Sequence, residues 1–120
     1  MLTLSCTAEQ AVSGTLYVPG SGDEALVEAE VTAGGAMSSF VVNANGESMT
    51  LSGLSIGSGG VVKITYDDQM ILSIKTGTTS LLTKRTGADD LRAKCGESNT
   101  LAFTADVAAS VVYRVRGLWV

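Results

Sequence analysis

The stretch EALVEAEVTA, residues 24–33, decides the fold class of this chain. Apolar residues fall at every second position, and three glutamates lie among the positions between them. Successive side chains of a β-strand point to opposite faces of a sheet, so this period of two is typical of a strand with one buried and one solvated face. The side chains predicted to face the core are Ala25, Val27, Ala29, Val31 and Ala33.

The same alternation recurs along most of the chain, in short runs separated by turn residues. Runs such as SSFVVNA, GVVKITY, MILSIKT and NTLAFTA carry it, and turns rich in glycine, asparagine or aspartate separate them. Many short, evenly spaced strands predict an antiparallel sandwich or barrel, whereas a parallel sheet would need crossover helices that this pattern lacks. The 120 residues are enough for one substantial core, so we predict a single β-sandwich domain over residues 1–120.

One segment, TGADDLRAKCGES at residues 86–98, breaks the alternation. Thr86 followed three residues later by Asp89 resembles a capping box, and Gly96 is a typical helix stop. We therefore predict one short helix near residues 87–95, lying across an open end of the sandwich. A structural plug is the favoured role of this helix, and a ligand lid is the alternative.

Charge and hydropathy narrow the classes of function. The net charge is −4 and the isoelectric point is about 4.6, so a phosphate backbone is an unfavourable partner. No stretch has the length of a transmembrane helix, and residues 1–18 lack the basic start and unbroken apolar run of a signal peptide. We therefore expect a protein that binds neither nucleic acid nor membrane and is not exported through a signal peptide.

The chain has two cysteines, Cys6 and Cys95, and no histidine. We expect both cysteines to be reduced, small buried side chains, and a disulfide in an exported adhesin is the alternative. Two cysteines without histidine cannot form the usual structural zinc site, and the missing imidazole excludes the common Ser-His and Cys-His catalytic pairs.

Two pairs of neighbouring carboxylates are the remaining candidates for metal binding or acid–base chemistry. Asp67 and Asp68 lie between two predicted strands, where aspartate suits a tight hairpin turn. Asp89 and Asp90 lie at the start of the predicted helix, where carboxylates are favoured by the helix dipole. Neither pair has the spacing of a calcium loop, and the Gly57–Gly60 cluster lacks the residues that follow in a phosphate loop. We predict no enzyme, and no catalytic, cofactor-binding or metal-binding residues.

Carbohydrate binding is the alternative that the aromatic residues leave open. Sugar sites on β-sandwiches combine a stacking aromatic ring with a few polar side chains. Tyr17 and Trp119 are the two candidate exposed platforms. The other aromatic residues fall on the predicted apolar faces of their strands; these are Phe40, Tyr66, Phe103 and Tyr113.

The closing run VVYRVRGLWV, residues 111–120, is the most strand-like part of the sequence. Alternation directs Val111, Tyr113 and Val115 inward, and Arg114 and Arg116 outward. Because terminal residues fray unless they are held by neighbours, we predict that this strand is interior or well covered. The outward arginines are expected to pair with acids such as Glu28 and Glu30. The candidate interaction surface is therefore made of Tyr17, Arg114, Arg116 and Trp119.

The second half of the chain, KITYDDQMILSIKTGTTSLLTKRTGADDLRAKCGESNTLAFTADVAASVVYRVRGLWV, resembles the C-terminal domain of siphophage distal tail proteins. The features that carry the resemblance occur in order. Tyr66 precedes an Asp-Asp turn, and a strand ends at Gly77. After an Asp-Asp-Leu segment, Gly96 and Asn99 lead into a strand, and an aromatic and arginine strand closes on Arg-Gly-Leu-Trp.

The resemblance implies a galectin-like jelly-roll sandwich that projects from a hexameric ring in the virion tail. Its implied role is non-enzymatic docking to other phage tail or baseplate proteins, and such a phage or prophage protein is assembled in the cytoplasm of the bacterial host. In some relatives the outer domain binds host-surface carbohydrate. The chain has residues only for the outer domain, so a homo-oligomeric ring is expected only with the missing N-terminal domain. Galactoside binding is not implied, because the galectin sugar site uses a histidine.

Overall fold

The computed structural model describes residues 2–19, 24–67 and 69–115 of the chain. These residues form β-strands joined by short turns, with one 3-10 turn at Leu82–Lys84. The strands are β1 (Leu2–Cys6), β2 (Val12–Val18), β3 (Glu24–Ala33), β4 (Phe40–Ala44), β5 (Glu47–Leu51), β6 (Val61–Tyr66), β7 (Leu72–Thr76), β8 (Thr79–Ser80), β9 (Arg85–Gly87), β10 (Arg92–Lys94), β11 (Glu97–Ala105) and β12 (Ala109–Val115).

Two antiparallel sheets face each other across a shared core. The seven-stranded sheet has the order β1-β12-β3-β6-β7-β8, and β10 pairs with β3 off this path. The five-stranded sheet has the order β2-β11-β4-β5-β9. The prediction of an all-β antiparallel sandwich is therefore confirmed.

From Val27 to Ala33, strand β3 follows the alternation that its sequence predicts. Val27, Ala29, Val31 and Ala33 are buried, whereas Glu28 and Glu30 lie on the outer face. At the beginning of the strand the predicted alternation fails, because Ala25 is only half-buried and Leu26, which the alternation directs outward, is buried. Strand β3 pairs with β12 on one side and with β6 and β10 on the other.

Both sheets contribute side chains to the core. Phe40, Phe103, Tyr66 and Tyr113 are all buried, as their positions in the alternation predict. The rings of Phe40 and Phe103 lie 6.3 Å apart between centroids in a tilted arrangement within the five-stranded sheet, a favourable geometry for aromatic pairs. In the described residues, no helix has the length and apolar character needed to cross a membrane.

The closing strand β12 is interior, as predicted. It lies between β1 and β3, and Tyr113 stands opposite Leu2 on one side and Ala29 on the other. Val111 and Tyr113 are fully buried, and Val115 is half-buried and packs against the core. Neighbours on both sides hold the strand through residue 115, the last residue that the structure describes here.

The predicted helix near residues 87–95 is wrong. Gly87 ends β9, which pairs with β5, and residues 92–94 form β10, which pairs with the beginning of β3. Leu91 and Ala93 are fully buried two residues apart, a spacing that fits a strand and not a helical face. Strand pairing with distant residues overrides the local capping signal here, and Gly96, at φ +81°, forms the turn into β11.

Candidate interaction surfaces

Tyr17 is an exposed member of the set of four residues predicted to form an interaction surface. It lies on β2, at one edge of the five-stranded sheet, with 61% of its surface accessible. Its neighbours Leu16 and Val18 point inward, so the ring stands on the outer face of this sheet. Ser13 and Thr15 present hydroxyl groups along the same face of the strand.

Arg114 lies on the outer face of the other sheet. It stands opposite Glu28 in the pairing of β12 with β3. One guanidinium nitrogen, Nη2, lies 4.0 Å from Oε2 of Glu30, so the predicted pairing with an acid of β3 is confirmed. Because both side chains are substantially exposed, this ion pair contributes little to stability.

Tyr17 and Arg114, the two of these four residues that the structure describes, do not share a surface. Tyr17 and Arg114 lie on the outer faces of opposite sheets, because alternation directs each of them away from the shared core. Arg116 and Trp119 lie outside the described residues. Sequence alternation could place a residue on an outer face, but it could not show to which sheet that face belongs.

A shallow groove runs over the outer face of the seven-stranded sheet, and sequence reasoning missed it. Two adjoining cavities of about 450 Å³ and 170 Å³ share Glu30, Lys63 and Thr65 in their walls. Lys63 stands directly opposite Lys75 in the pairing of β6 with β7, and like charges in such positions repel each other. The groove therefore has a positive end at β6 and β7 and a mixed end at β3 and β12.

A larger cleft of about 510 Å³ lies at one end of the sandwich. Its charged walls are tied together by ion pairs. Arg92 contacts Asp90 at 3.1 Å, and the hydrogen bonds that its guanidinium donates to this carboxylate raise the pKa of the guanidinium. Asp89 pairs with Arg85 at 3.0 Å. These aspartates thus face arginines in a loop, and the predicted stabilisation by a helix dipole does not apply.

The wall of this end cleft is braced by two asparagines. Asn45 Nδ2 donates to Asn99 Oδ1 at 2.8 Å, and Asn45 Oδ1 accepts from the Thr100 N–H at 3.0 Å. The side chain of Asn99, buried beneath, accepts from the Lys94 N–H at 2.7 Å. Asn45 precedes Gly46 in the β4–β5 turn and has φ +51°, a left-handed conformation that asparagine tolerates well.

Asp67 has the turn role that its sequence context predicts. Its Oδ1 accepts from the N–H groups of Gln69 and Ile71 at 2.8 and 2.9 Å. Asp68 lies outside the described residues. Met70 and Ile71 project from the same turn with more than half of their surfaces exposed, and Met70 has φ +65°.

Tyr66 and Tyr113 are buried, and their hydroxyl groups bond to backbone. Tyr66 accepts from the Leu91 N–H at 3.0 Å and donates to the Val27 carbonyl at 3.2 Å. Tyr113 donates across the core to the Ala102 carbonyl and accepts from the Asn43 N–H. Burial raises the pKa of both phenols, so both remain protonated donors at neutral pH.

Cys6 and Cys95 are free thiols in the structure. Cys6 is buried at the end of β1, and Cys95 is half-buried in the turn between β10 and β11. Within residues 2–19, 24–67 and 69–115, no group of three Cys, Asp or Glu side chains has the arrangement needed to hold a metal ion.

No family model, no curated protein and no solved structure matches this chain. The resemblance to distal tail proteins therefore depends on the ordered sequence features of residues 63–120.

Proposed function

We propose that this chain is a non-enzymatic structural module of a phage or prophage tail tip, the outer domain of a distal tail or baseplate hub protein. It acts by docking against other tail or baseplate proteins, in a virion tail assembled in the cytoplasm of the bacterial host. The observation that carries the proposal is the ordered series of features in residues 63–120, from the tyrosine before an Asp-Asp turn to the aromatic and arginine strand.

The residues that carry the resemblance have structural roles in the described part of the chain. Tyr66 joins β3 to the segment before β10 through its hydroxyl group. Tyr113 connects the two sheets, and Asn99 holds the β10–β11 turn. A docking module needs a rigid framework to present its surfaces, and buried, fully bonded polar groups provide rigidity of this kind.

The carboxylates considered for catalysis also support a structural interpretation. Asp67 is bonded to backbone N–H groups of its own turn. Asp89 and Asp90 are each paired with an arginine within four residues along the chain. Each of these carboxylates therefore has a local structural partner.

Labelling of phage particles tests the proposal. Antibodies raised against the purified chain are applied to intact virions from an inducing host, and the particles are viewed by electron microscopy. The expected result is label at the tail tip, with none in pre-immune controls. Mass spectrometry of purified virions that detects the major tail proteins but no peptide of this chain would overturn the proposal.

Carbohydrate binding is a second candidate, favoured by the exposure of Tyr17. A ring with 61% of its surface accessible, beside the hydroxyls of Ser13 and Thr15, provides a stacking face and polar partners. On a glycan array, the Tyr17→Phe variant, which keeps the aromatic ring, should then bind saccharides as the unmodified chain does. The Tyr17→Ala variant should lose this binding. Equal binding by both variants would exclude this face as the sugar site.

A further inference from the structure

The edges of the two sheets differ in length. Strands β8 and β9, at one side of the sandwich, contain two and three residues. Strands β1 and β2, at the other ends of the two sheets, contain five and seven residues. An exposed edge strand offers unpaired N–H and C=O groups to another strand, and very short edges limit this exposure. The two sheets therefore have one protected edge and one long edge each.

Strand β2 lacks the usual protection of a long edge. The segment Val12–Val18, VSGTLYV, contains no charged residue and no proline. Its pairing with β11 is continuous over all seven residues, with no bulge that would twist the edge away. Among the described strands, β11 is the only pairing partner of β2. As far as residues 2–19, 24–67 and 69–115 show, this edge is therefore open to strand addition.

Strand β1 packs on the inward face of β2 and not beside it. A Cβ atom built on Gly14 would lie 3.0 Å from Leu4 Cδ2 and 3.2 Å from Leu2 Cδ1. Glycine at this position thus lets the leucines of β1 approach the inner side of β2 closely. The lateral side of β2, along which a further strand would add, is not the side that β1 contacts.

The directions of the β2 backbone groups follow from two hydrogen bonds. The Val18 carbonyl accepts from the Gly96 N–H at 2.6 Å, and the Leu16 carbonyl accepts from Asn99 Nδ2 at 3.3 Å. Both carbonyls therefore face β11. Because backbone groups of alternate residues point to opposite sides of a strand, the N–H and C=O groups of Ser13, Thr15 and Tyr17 point to the open side.

We propose that two copies of this chain associate by antiparallel pairing of their β2 strands about a twofold axis at Thr15. In this register Thr15 faces Thr15 of the second copy, and Ser13 faces its Tyr17. Each outward N–H and C=O group of the three residues meets a partner, and the two five-stranded sheets become one continuous sheet.

A second copy suits this edge because the strand is self-complementary about Thr15. On the inner face, Val12 lies opposite Val18 and Gly14 lies opposite Leu16. The first pair therefore joins two β-branched side chains, and the second joins the largest of these four residues to glycine, the smallest. On the outer face, a threonine pair, which is a favourable cross-strand pair, lies between two uncharged serine–tyrosine pairs. No like charges face each other within the paired strands, and a twofold interface of this kind closes on itself.

This association is independent of the proposed tail role, since it depends only on the geometry of β2. It also differs from the ring that the resemblance attributes to a missing N-terminal half. A contact through one strand buries less area than a permanent interface, so the dimer is expected to form reversibly and to depend on concentration.

Sedimentation and light scattering over a wide concentration range test the proposal, with the chain compared to Thr15→Pro. The N–H of Thr15 faces the open side, so proline there should preserve the pairing with β11 and remove a central hydrogen bond of the dimer. The expected result is a monomer–dimer equilibrium in the unmodified chain and a dimer at least about tenfold weaker in the variant. Far-UV circular dichroism checks that the variant remains folded.

A second pair of variants keeps the test valid if proline perturbs the fold. Thr15→Lys would place two positive charges directly opposite each other at the twofold axis and should weaken the dimer strongly. Thr100 stands opposite Thr15 on β11, the strand next to β2, and is also exposed. Thr100→Lys therefore adds the same charge to the same outer face, but away from the proposed interface. This control should dimerise with nearly the affinity of the unmodified chain.

Hydrogen exchange identifies the strand directly. Protection of the Ser13, Thr15 and Tyr17 amides should rise with protein concentration in the unmodified chain and remain unchanged in Thr15→Lys. A chain that stays monomeric at every concentration would overturn the proposal. Dimers of Thr15→Pro and Thr15→Lys with the same affinity as the unmodified chain would overturn it as well. Capture of a strand from a different protein by β2, with no self-association, would also overturn it.

Discussion

Asn99 has only 1% of its surface exposed to solvent, and among the described residues it is the one polar, non-aromatic residue of the core. Its Nδ2 group donates to the carbonyls of Lys94, Glu97 and Leu16 at 3.0 to 3.3 Å. Its Oδ1 accepts from the Lys94 N–H and from Asn45. One buried amide group thus bonds to part-buried backbone groups of the β10–β11 turn and of β2.

Replacement of Asn99 by alanine should therefore destabilise the chain by roughly 2 to 4 kcal/mol, because several part-buried backbone groups lose a hydrogen-bond partner together and the buried side chain leaves a gap. Asn43→Ala is the matched control, since the Asn43 side chain bonds to Ser48 and Gly46 in an exposed turn. Its cost is expected to be below about 1 kcal/mol. Urea unfolding measures both, and similar values for the two variants would show that the Asn99 network contributes little.

Asp106 makes stability depend on pH. The Ser38 hydroxyl at 2.5 Å and the backbone N–H groups of Ser38 and Ser39 donate to its carboxylate. These bonds hold the pKa of Asp106 below its ordinary value of 3.8. A carboxylate with a lowered folded-state pKa stabilises fully above its unfolded pKa, and this contribution is lost as the pH falls through the folded value.

Asp106→Asn should consequently be less stable than the unmodified chain at pH 7, and the difference should shrink as the pH falls below about 4. Asparagine keeps one acceptor oxygen, so the comparison reports mainly on the charge. Glu47→Gln, at an exposed position of β5, controls for the change in net charge. The urea midpoints of the unmodified chain and of Asp106→Asn are to be measured from pH 7 to below about 4. A difference between them that does not change with pH would contradict the prediction.

At the scale of the strands, β9 shows why a short element can be intolerant of substitution. It has three residues, and its Gly87 stands opposite Met49 of β5. Gly87 has φ +89°, and a Cβ atom there would lie 2.5 Å from the Ser48 carbonyl oxygen. This distance is too short for a carbon–oxygen contact, and the neighbour is backbone, which cannot turn aside as a side chain would.

Gly87→Ala should cost more than about 2 kcal/mol, because it combines left-handed strain with a backbone clash. Gly46→Ala is a close control, since Gly46 has φ +91° and nothing within 4 Å of the added Cβ. It should cost about 1 kcal/mol, the strain alone. Thermal unfolding of both variants provides the comparison, and equal losses would mean that β9 moves away from β5 at little cost.

At the scale of the whole molecule, the two sheets share one buried cluster of side chains. Val31 and Val111 of the seven-stranded sheet belong to the same cluster as Met49 and Leu101 of the five-stranded sheet. The first and last described strands, β1 and β12, also pair with each other. Neither sheet can lose its partner without exposing the core, so the molecule should unfold as one unit.

Cys6 provides a probe of this cooperativity. It is buried in the core cluster, and its thiol should become reactive only on unfolding. We expect pulse labelling of Cys6 in a Cys95→Ser variant to give the same urea midpoint as far-UV circular dichroism. Labelling of Cys6 well below the circular dichroism midpoint would instead show that β1 separates from β12 before the rest unfolds.

The sequence by itself determined the strand periodicity and the direction of most side chains. It identified most of the buried side chains of β3 and β12, although Leu26 of β3 is buried against the alternation, and it identified the turn role of Asp67 and the outward exposure of Tyr17. These features follow from alternation and turn chemistry, which depend only on neighbouring residues.

Tertiary structure alone decided the features that depend on distant residues. Residues 87–95 carry a helix-like capping signal, yet pairing with β5 and β3 makes strands at both ends of this segment. Tyr17 and Arg114 both point outward, but only the sheet order shows that they lie on opposite faces. The partners of Asn99 include Leu16, far away in sequence, and the open edge of β2 exists because β11 pairs with one side of it. A local pattern contains no information about which strands meet, because the free energy of pairing and burial comes from contacts between residues distant in the sequence.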